Sequence, residues 1–518
     1  MAKVALVFFL LAAALACGDA AKILGMFAFP SQSHHILGKA LMKELAARGH
    51  QVTMVSPFPF KTPPKNYRDV TLHNMLAWKQ SAMKKISNPN IGLIQKQAIF
   101  HESLPDLTRA FFEEKELQQL LKSGEKFDLA INMMGYTEAV LAVGHLLNAT
   151  NIGFSIMGGM PIFNYHTAIP SPHAYVPATF YYYSDKMTFF ERVINTLFSI
   201  GFEMMIHFKH YPNQRAVVKE YYPELCLDKI MKDVDLHLIT SHHATESPRP
   251  HLTNTIQIGG FHLYDREELP ADLKQFMDKS KHGVIFFSLG SNIKTAELKG
   301  DVMQQFIKAF SNSKYDFLMK YEKDLPNLPK NIKISSWLPQ KAILEHPKCK
   351  VFITHGGLGS IAESIHNGVP MIAIPFFGDQ RKNVADSIDF GYALQLEITN
   401  ITERIVTDAI KEVTENPSYL KAAKFRSDIY RNQEMNPMDK AVFWVEHVIK
   451  HGGAKHMKSM ATELKWYQYM LLDVFAFLGA ILLIAFGLIY FTLKKIACCI
   501  CKKQCKKAPT NSKKVKKN

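Results

Sequence analysis

Cysteine is scarce: the chain has seven in 518 residues. Cys17 falls in an apolar leader, and Cys498, Cys499, Cys501 and Cys505 crowd into the C-terminal tail, so the body holds only Cys226 and Cys349. These two allow one disulfide or two free thiols, and neither choice amounts to a disulfide framework. A hydrophobic core has to hold the fold, and hydrophobic residues at 47% are enough for one. Phosphate-loop motifs are missing as well. No G-x-G-x-x-G follows the first strand-like run and no G-x-x-x-x-G-K-[ST] occurs, which removes support from simple dinucleotide and P-loop readings. Acid is absent from residues 494–518, which hold ten lysines. That tail supplies +10 of the net +16 and leaves only +6 on everything before it. The basic excess belongs to the tail, so no nucleic-acid groove is indicated.

Charge is also absent from 474–493, "VFAFLGAILLIAFGLIYFTL". A helix of that length, at about 1.5 Å per residue, crosses the ~30 Å hydrocarbon of a bilayer. Trp466, Tyr467 and Tyr469 precede it, and Lys494 and Lys495 follow, the pattern of an aromatic belt and a cytosolic basic flank. At the other end Lys3, an apolar run at 4–16 and the small residues before 21 read as a cleaved signal peptide. The expectation is a single-pass type I protein: 1–20 the signal, 470–493 the membrane helix, 494–518 a cytosolic Lys-rich tail, and the body lumenal. Lys514 and Lys516 in "KKVKKN" fit a KxKxx retrieval signal for the endoplasmic reticulum membrane. Asn148 and Asn400 head glycosylation sequons. The juxtamembrane cysteines suit palmitoylation better than zinc, because their spacing leaves no loop to fold round a metal.

Strand, helix and strand alternate twice along the body. "AKILGMFAF" is a continuous apolar run, then Ile36, Leu37, Leu41 and Leu45 recur at helical spacing, Gly49 stops that helix, and "QVTMVSP" is the next strand. "FDLAINMMG" at 127–135 is a later strand of the same sheet, with a helix from about Thr137. A second start comes at "GVIFFSLGSN", 283–292, followed by further strands at "YDFLMKY", "NIKISSW", "VFITHGG" and "MIAIP". The Pro-, Gly- and charge-rich 246–282 suits a linker. Two doubly wound parallel sheets then face each other across a cleft at their carboxyl edges, where ligands bind in such folds.

"THGGLGSIAE", 354–363, is a strand-to-helix turn aimed at that cleft. Glycine lets backbone approach a ligand, uncapped helix N–H groups favour an anion, and an acid one turn later can accept from ribose hydroxyls. The residues read as a cradle for phosphate and ribose. The longer stretch 337–380, "WLPQKAILEHPKCKVFITHGGLGSIAESIHNGVPMIAIPFFGDQ", resembles the nucleotide-sugar signature of UDP-glycosyltransferases. The likeness extends to "SHH" early, "SLGSN" at 288–292, "YQYMLLDV" before the membrane, and the Lys-rich tail. It is that of an animal, insect-like, membrane-bound member.

The resemblance implies a GT-B-like α/β fold of two Rossmann-like domains, 21–245 binding the acceptor and 283–445 the UDP-sugar, with 446–469 leading to the membrane. It implies Trp337 against the uracil with Gln340 beside it, and Ser291, His355 and Ser360 with the Gly357 backbone on the diphosphate. Glu363 would take the ribose, and Asp379 and Gln380 the sugar hydroxyls. Plant members have Trp-Asn before the Ser, where this chain has Leu358 and Gly359. No cofactor is implied, only a UDP-sugar co-substrate: UDP-glucose first, UDP-glucuronate second. The acceptor would be a small lipophilic hydroxyl compound, and a homo-oligomer is compatible.

His34 follows Ser33 where loop becomes helix. A helix N-terminus disfavours imidazolium, so the ring can act as base. The family uses a His here to deprotonate the acceptor in one inverting, metal-independent displacement; adjacent His35 is the competitor. The family's orienting carboxylate aligns with Met133, which cannot accept an imidazole N–H. Glu138 is the nearby substitute. Loss of that carboxylate raises a second reading: a membrane-tethered protein that binds nucleotide sugar or lipophile with weak or no turnover. A glycoside hydrolase would need paired carboxylates, and only Asp379 and Glu363 offer themselves.

Overall fold

The structure is a computed structural model that describes residues 20–505 except 87–90, 161, 164–166, 266, 292 and 299–300. Residues 1–19 of the expected signal peptide (1–20), and Lys514 and Lys516 of the expected retrieval motif, lie outside the described residues. Residues through Lys458 form one compact unit and those from Ser459 a second.

The first sheet is built of β1 (Lys22–Met26), β2 (Gln51–Ser56), β3 (Tyr67–Thr71), β4 (Leu129–Met133), β5 (Thr150–Ser155), β6 (His237–Ile239) and β7 (Thr255–Gln257). Its order is β3-β2-β1-β4-β5-β6-β7, every pair parallel, with Ile23 level with both Val52 and Leu129. Apolar side chains on both faces of β1 and β4 follow from helices covering both faces. Helix α1 (Gln32–Ala47) buries Leu37, Leu41 and Leu45. It lies so close to the end of β1 that a Cβ on Gly38 would come within 2.3 Å of the Phe27 ring. Ile36, expected on the buried face, points outward and lines the cleft instead. Helix α2 (Phe189–Met205) follows later in this half.

The second sheet runs β10 (Ile332–Ser335), β9 (Asp316–Lys320), β8 (Val284–Ser288), β11 (Cys349–Thr354), β12 (Met371–Ala373) and β13 (Ala393–Gln395), again all parallel. Successive side chains of β8 alternate: Phe286 stacks on Phe352 in one core, Phe287 meets Phe306 and Phe310 in the other. Helices α3 (Gln340–Glu345), α4 (Leu358–Asn367) and α5 (Gln380–Asp389) stand at the carboxyl end of this sheet.

Two boundaries differ from the sequence reading. The stretch 246–282 is not all linker, since β7 within it extends the first sheet beside β6. Helix α6 (Pro437–His451) turns Ala441, Val442, Val445 and Val448 into the core of the first sheet, not the second. The first half therefore recruits residues 437–451 from the far end of the body. Cys226 is exposed and Cys349 buried, and both are free thiols.

The second unit contains α7 (Leu472–Cys505), a 34-residue helix. Over Leu472–Lys503 it is long and apolar enough to cross a membrane. It starts at the apolar run and continues through Lys494 and Lys495 into the cysteines.

Candidate active site

A cleft of about 970 Å³ lies between the carboxyl edges of the two sheets. Ser291, Trp337, Gln340, His355, Gly357, Ser360, Glu363, Asp379 and Gln380 all line its second-sheet wall, and His34 lines the wall opposite. Only Glu138 among the expected site residues is elsewhere.

The second-sheet wall is built on strand-to-helix turns. After β11 the chain passes His355 and Gly356 and enters α4 at Gly357, which caps without a side chain. The first N–H groups of α4 are thus left for a ligand, an anion there being worth about 0.3–2 kcal/mol. The His355 ring is boxed between two glycines: a Cβ on either Gly290 or Gly357 would come within 2.5 Å of it. Burial and nearby Lys320 lower His355 to about 4. It is neutral at ordinary pH and can serve as a hydrogen-bond donor rather than a cation.

Gln340 ties this wall together. Its Nε2 donates to Glu363 Oε2 at 2.7 Å and lies 3.1 Å from Ser360 Oγ. Burial raises Glu363 to about 7, against the opposing pull of Gln340 and Lys341. A carboxyl in that state becomes a strong acceptor once two hydroxyls reach it. Trp337 is 59% exposed on the wall of the cleft. Gln380 is partly engaged within the protein: its Oε1 accepts from the Phe376 and Phe377 amides at 2.7 and 3.1 Å. Asp379 is held by Asn383, and burial raises its carboxyl.

On the opposite wall α1 sets His34 in its first turn. Its ring joins a stack with Phe29, 5.3 Å away at 23°, and with Tyr136 beyond at 6.1 Å and 8°. Burial, then Lys79, lower it to about 3. Nδ1 is buried and has no hydrogen-bond partner among the described residues, which leaves Nε2 for an acceptor. His35 turns away to Phe58 and does not line the cleft.

Glu138 does not stand in for the missing carboxylate. It sits in a 3-10 turn, Glu138–Val140, whose side chain points into the core. There its Oε2 lies 2.8 Å from His210 Nε2 and its Oε1 accepts from Gly135 N at 3.1 Å. Met133, at the end of β4, is buried in the first core.

Sequence reading did not single out the aromatic residues round His34. Phe29, Trp78, Phe100 and Tyr136 make an edge-to-face and stacked cluster round His34. Phe29 ends the first apolar run, and Tyr136 follows "NMMG". Both occupy carboxyl-edge positions, which was the available signal.

Residues 22–508 match the model of the family described as UDP-glucoronosyl and UDP-glucosyl transferase. The chain belongs to this family. The glycosyltransferase is 31% identical over 504 residues to UDP-glucosyltransferase 2 of Dactylopius coccus, covering 95% of each chain. It is 33% identical over 467 residues to UDP-glycosyltransferase UGT4 of the same insect, covering 87% of this chain and 90% of that one. It is 31% identical over 528 residues to mouse UDP-glucuronosyltransferase 2A3, covering 96% and 95%. A UDP-glucose: anthocyanidin 3-O-glucosyltransferase solved in complex with UDP shares the fold, with TM-score 0.56 at 16% identity over 84% of this chain and 99% of that one. This enzyme transfers sugar from a UDP-sugar on a GT-B fold and, among the described residues, carries one helix suited to a membrane.

Proposed function

We propose that the enzyme transfers glucose from UDP-glucose, with inversion and without a metal, to the hydroxyl of a small lipophilic acceptor, with His34 Nε2 as base. The observation that carries this reading is that His34 opens on the same cleft as all nine donor-side residues. The aromatic cluster round His34 suits an apolar guest. Uracil stacks on Trp337, ribose hydroxyls bond Glu363, and the diphosphate meets the α4 N-terminus with His355 and Ser291. The leaving UDP is stabilised there by main-chain N–H groups and the His355 donor. Asp379 and the Gln380 amide hold the sugar. With the signal, the span and the KxKxx motif, the catalytic part lies in the lumen of the endoplasmic reticulum and the tail in the cytosol.

The bare Nδ1 of His34 supports a second reading, a binding protein with weak turnover. A carboxylate on that nitrogen would hold the N–H tautomer that leaves Nε2 basic, and among the described residues nothing does. A competition assay across UDP-sugars, scoring product as well as binding, tests both. UDP-glucose should be the best donor; saturable binding without product from any UDP-sugar would favour the binder.

A further inference from the structure

The charges of the cleft are sorted by wall. Its carboxylates, Asp265, Glu267, Glu363 and Asp379, all come from residues 265–379. The wall that carries His34, drawn from residues 29–182, has no carboxylate among the described residues and three lysines, Lys39, Lys79 and Lys96. Two of these come from helices that also supply the aromatic cluster. Met75–Ile86 brings Trp78 and Lys79 to the cleft, and Leu93–Phe112 brings Lys96 with Phe100 one turn further on. The Trp78 and Phe100 rings meet edge to face at 6.4 Å. Aromatic surface and positive charge therefore enter the acceptor side together.

The lysines differ in what answers them. Lys39 Nζ lies 3.4 Å from the centre of the Phe60 ring and has Asp69 nearby. Lys96 has Arg381 on the facing wall for a neighbour, and Arg381 is already held by both carboxylate oxygens of Glu397, at 2.9 and 3.0 Å. Among the described residues no ion pair engages Lys96. Burial holds Lys79 and Lys96 below their usual value, and Lys79 adds to burial in lowering His34. A wall of one sign in a partly dry cleft concentrates the opposite charge.

We propose that the acceptor is an aromatic hydroxy acid, with its ring system among Phe29, Trp78, Phe100 and Tyr136, its hydroxyl at His34 and its carboxylate on Lys79 and Lys96. This deepens the glucosyl-transfer reading and rests on its assignment of the His34 wall to the acceptor. A hydrogen bond between ammonium and carboxylate is about twice as strong as a neutral one. It also sets the direction in which a flat guest enters, so that one hydroxyl faces Nε2. A neutral guest of the same shape leaves Lys96 unanswered, and a polar group left unpaired in a binding site is what discriminates most sharply. A glucuronate on the donor would be another source of a carboxylate. The acceptor is favoured because both lysines share their helices with the rings round His34.

The test uses the full chain in detergent with saturating UDP. Equilibrium dialysis gives Kd for 6-hydroxy-2-naphthoate and 4-hydroxybenzoate, each against its methyl ester. At least one acid is expected to bind tenfold or more tighter than its ester at neutral pH, with the ratio falling as salt rises. In the double variant Lys79→Gln, Lys96→Gln the ratio should drop to about one, with UDP binding as the check on folding. Esters that bind the unmodified chain as tightly as both acids overturn the proposal. So does a folded double variant that keeps the acid preference. A variant that alters the preference between UDP-glucuronate and UDP-glucose, and not the acid-to-ester ratio, also overturns it by assigning the lysines to the donor. Replacing UDP by UDP-glucose reads transfer separately: an acid preference without any glucoside would contradict glucosyl transfer and leave the anion site standing.

Discussion

Glu138 Oε2 lies 2.8 Å from His210 Nε2, with both side chains buried. This pairing withdraws from His34 the carboxylate that follows β4, and it separates two roles that adjacent sequence positions could not.

If Glu138 serves the core rather than the base, Glu138→Ala leaves a buried histidine without its partner. A loss of about 3 kcal/mol is expected in urea unfolding, with kcat/KM of the folded fraction changed less than threefold. A selective fall in kcat at unchanged stability would return Glu138 to the catalytic machinery.

Met133→Asp restores an acceptor where the family's orienting carboxylate aligns. The corresponding loss in a serine protease costs about 10⁴-fold in turnover. A gain of at least tenfold in kcat is expected, with donor KM unchanged. Some stability is lost, because a carboxylate enters a buried position; thermal unfolding measured in parallel separates the two effects. No gain from a folded variant would place Met133 out of reach of Nδ1.

Much of this was legible before the fold. The apolar runs "KILGM" and "VIFFS" are strands because helices bury both their faces, and "THGGLGS" is a strand-to-helix turn because glycine and an uncapped N-terminus coincide there. Three things were not. β7 is the tripeptide Thr255–Gln257, too short to show a period. Residues 437–451 read as an ordinary amphipathic helix, and nothing local tells which sheet it covers. Glu138 stood five residues from Met133, but side-chain direction inside a 3-10 turn is set by packing with His210, a contact 72 residues away.

Glu363 gives the donor site a pH dependence. Its folded value near 7 lies above the usual carboxylate value, so its contribution to folding is full below about 4.5 and lost as pH rises through 7. If Glu363 takes the ribose as proposed, donor binding runs oppositely, because the hydroxyls need the ionised acceptor. The Kd for UDP should rise as pH falls below 7. Glu363→Gln should flatten that profile and weaken binding about tenfold or more at pH 8. An unchanged profile in the variant would remove Glu363 from the ribose.

Gly357→Ala probes the diphosphate cradle with little effect on backbone freedom, since Gly357 has an ordinary φ of −68°. The added Cβ would crowd His355 at 2.5 Å. UDP binding is expected to weaken tenfold or more in calorimetry while the melting temperature stays within a few degrees. Full affinity would mean that His355 does not face the phosphates.

The most direct measurement is product formation by the full chain with UDP-glucose and a phenol such as 1-naphthol, in parallel with His34→Ala. A β-glucoside and released UDP are expected from the unmodified enzyme, with kcat reduced about 10²- to 10⁴-fold in the variant. UDP binding should be equal in both. An α-glucoside, or the same turnover with and without His34, would contradict a single displacement driven by that imidazole.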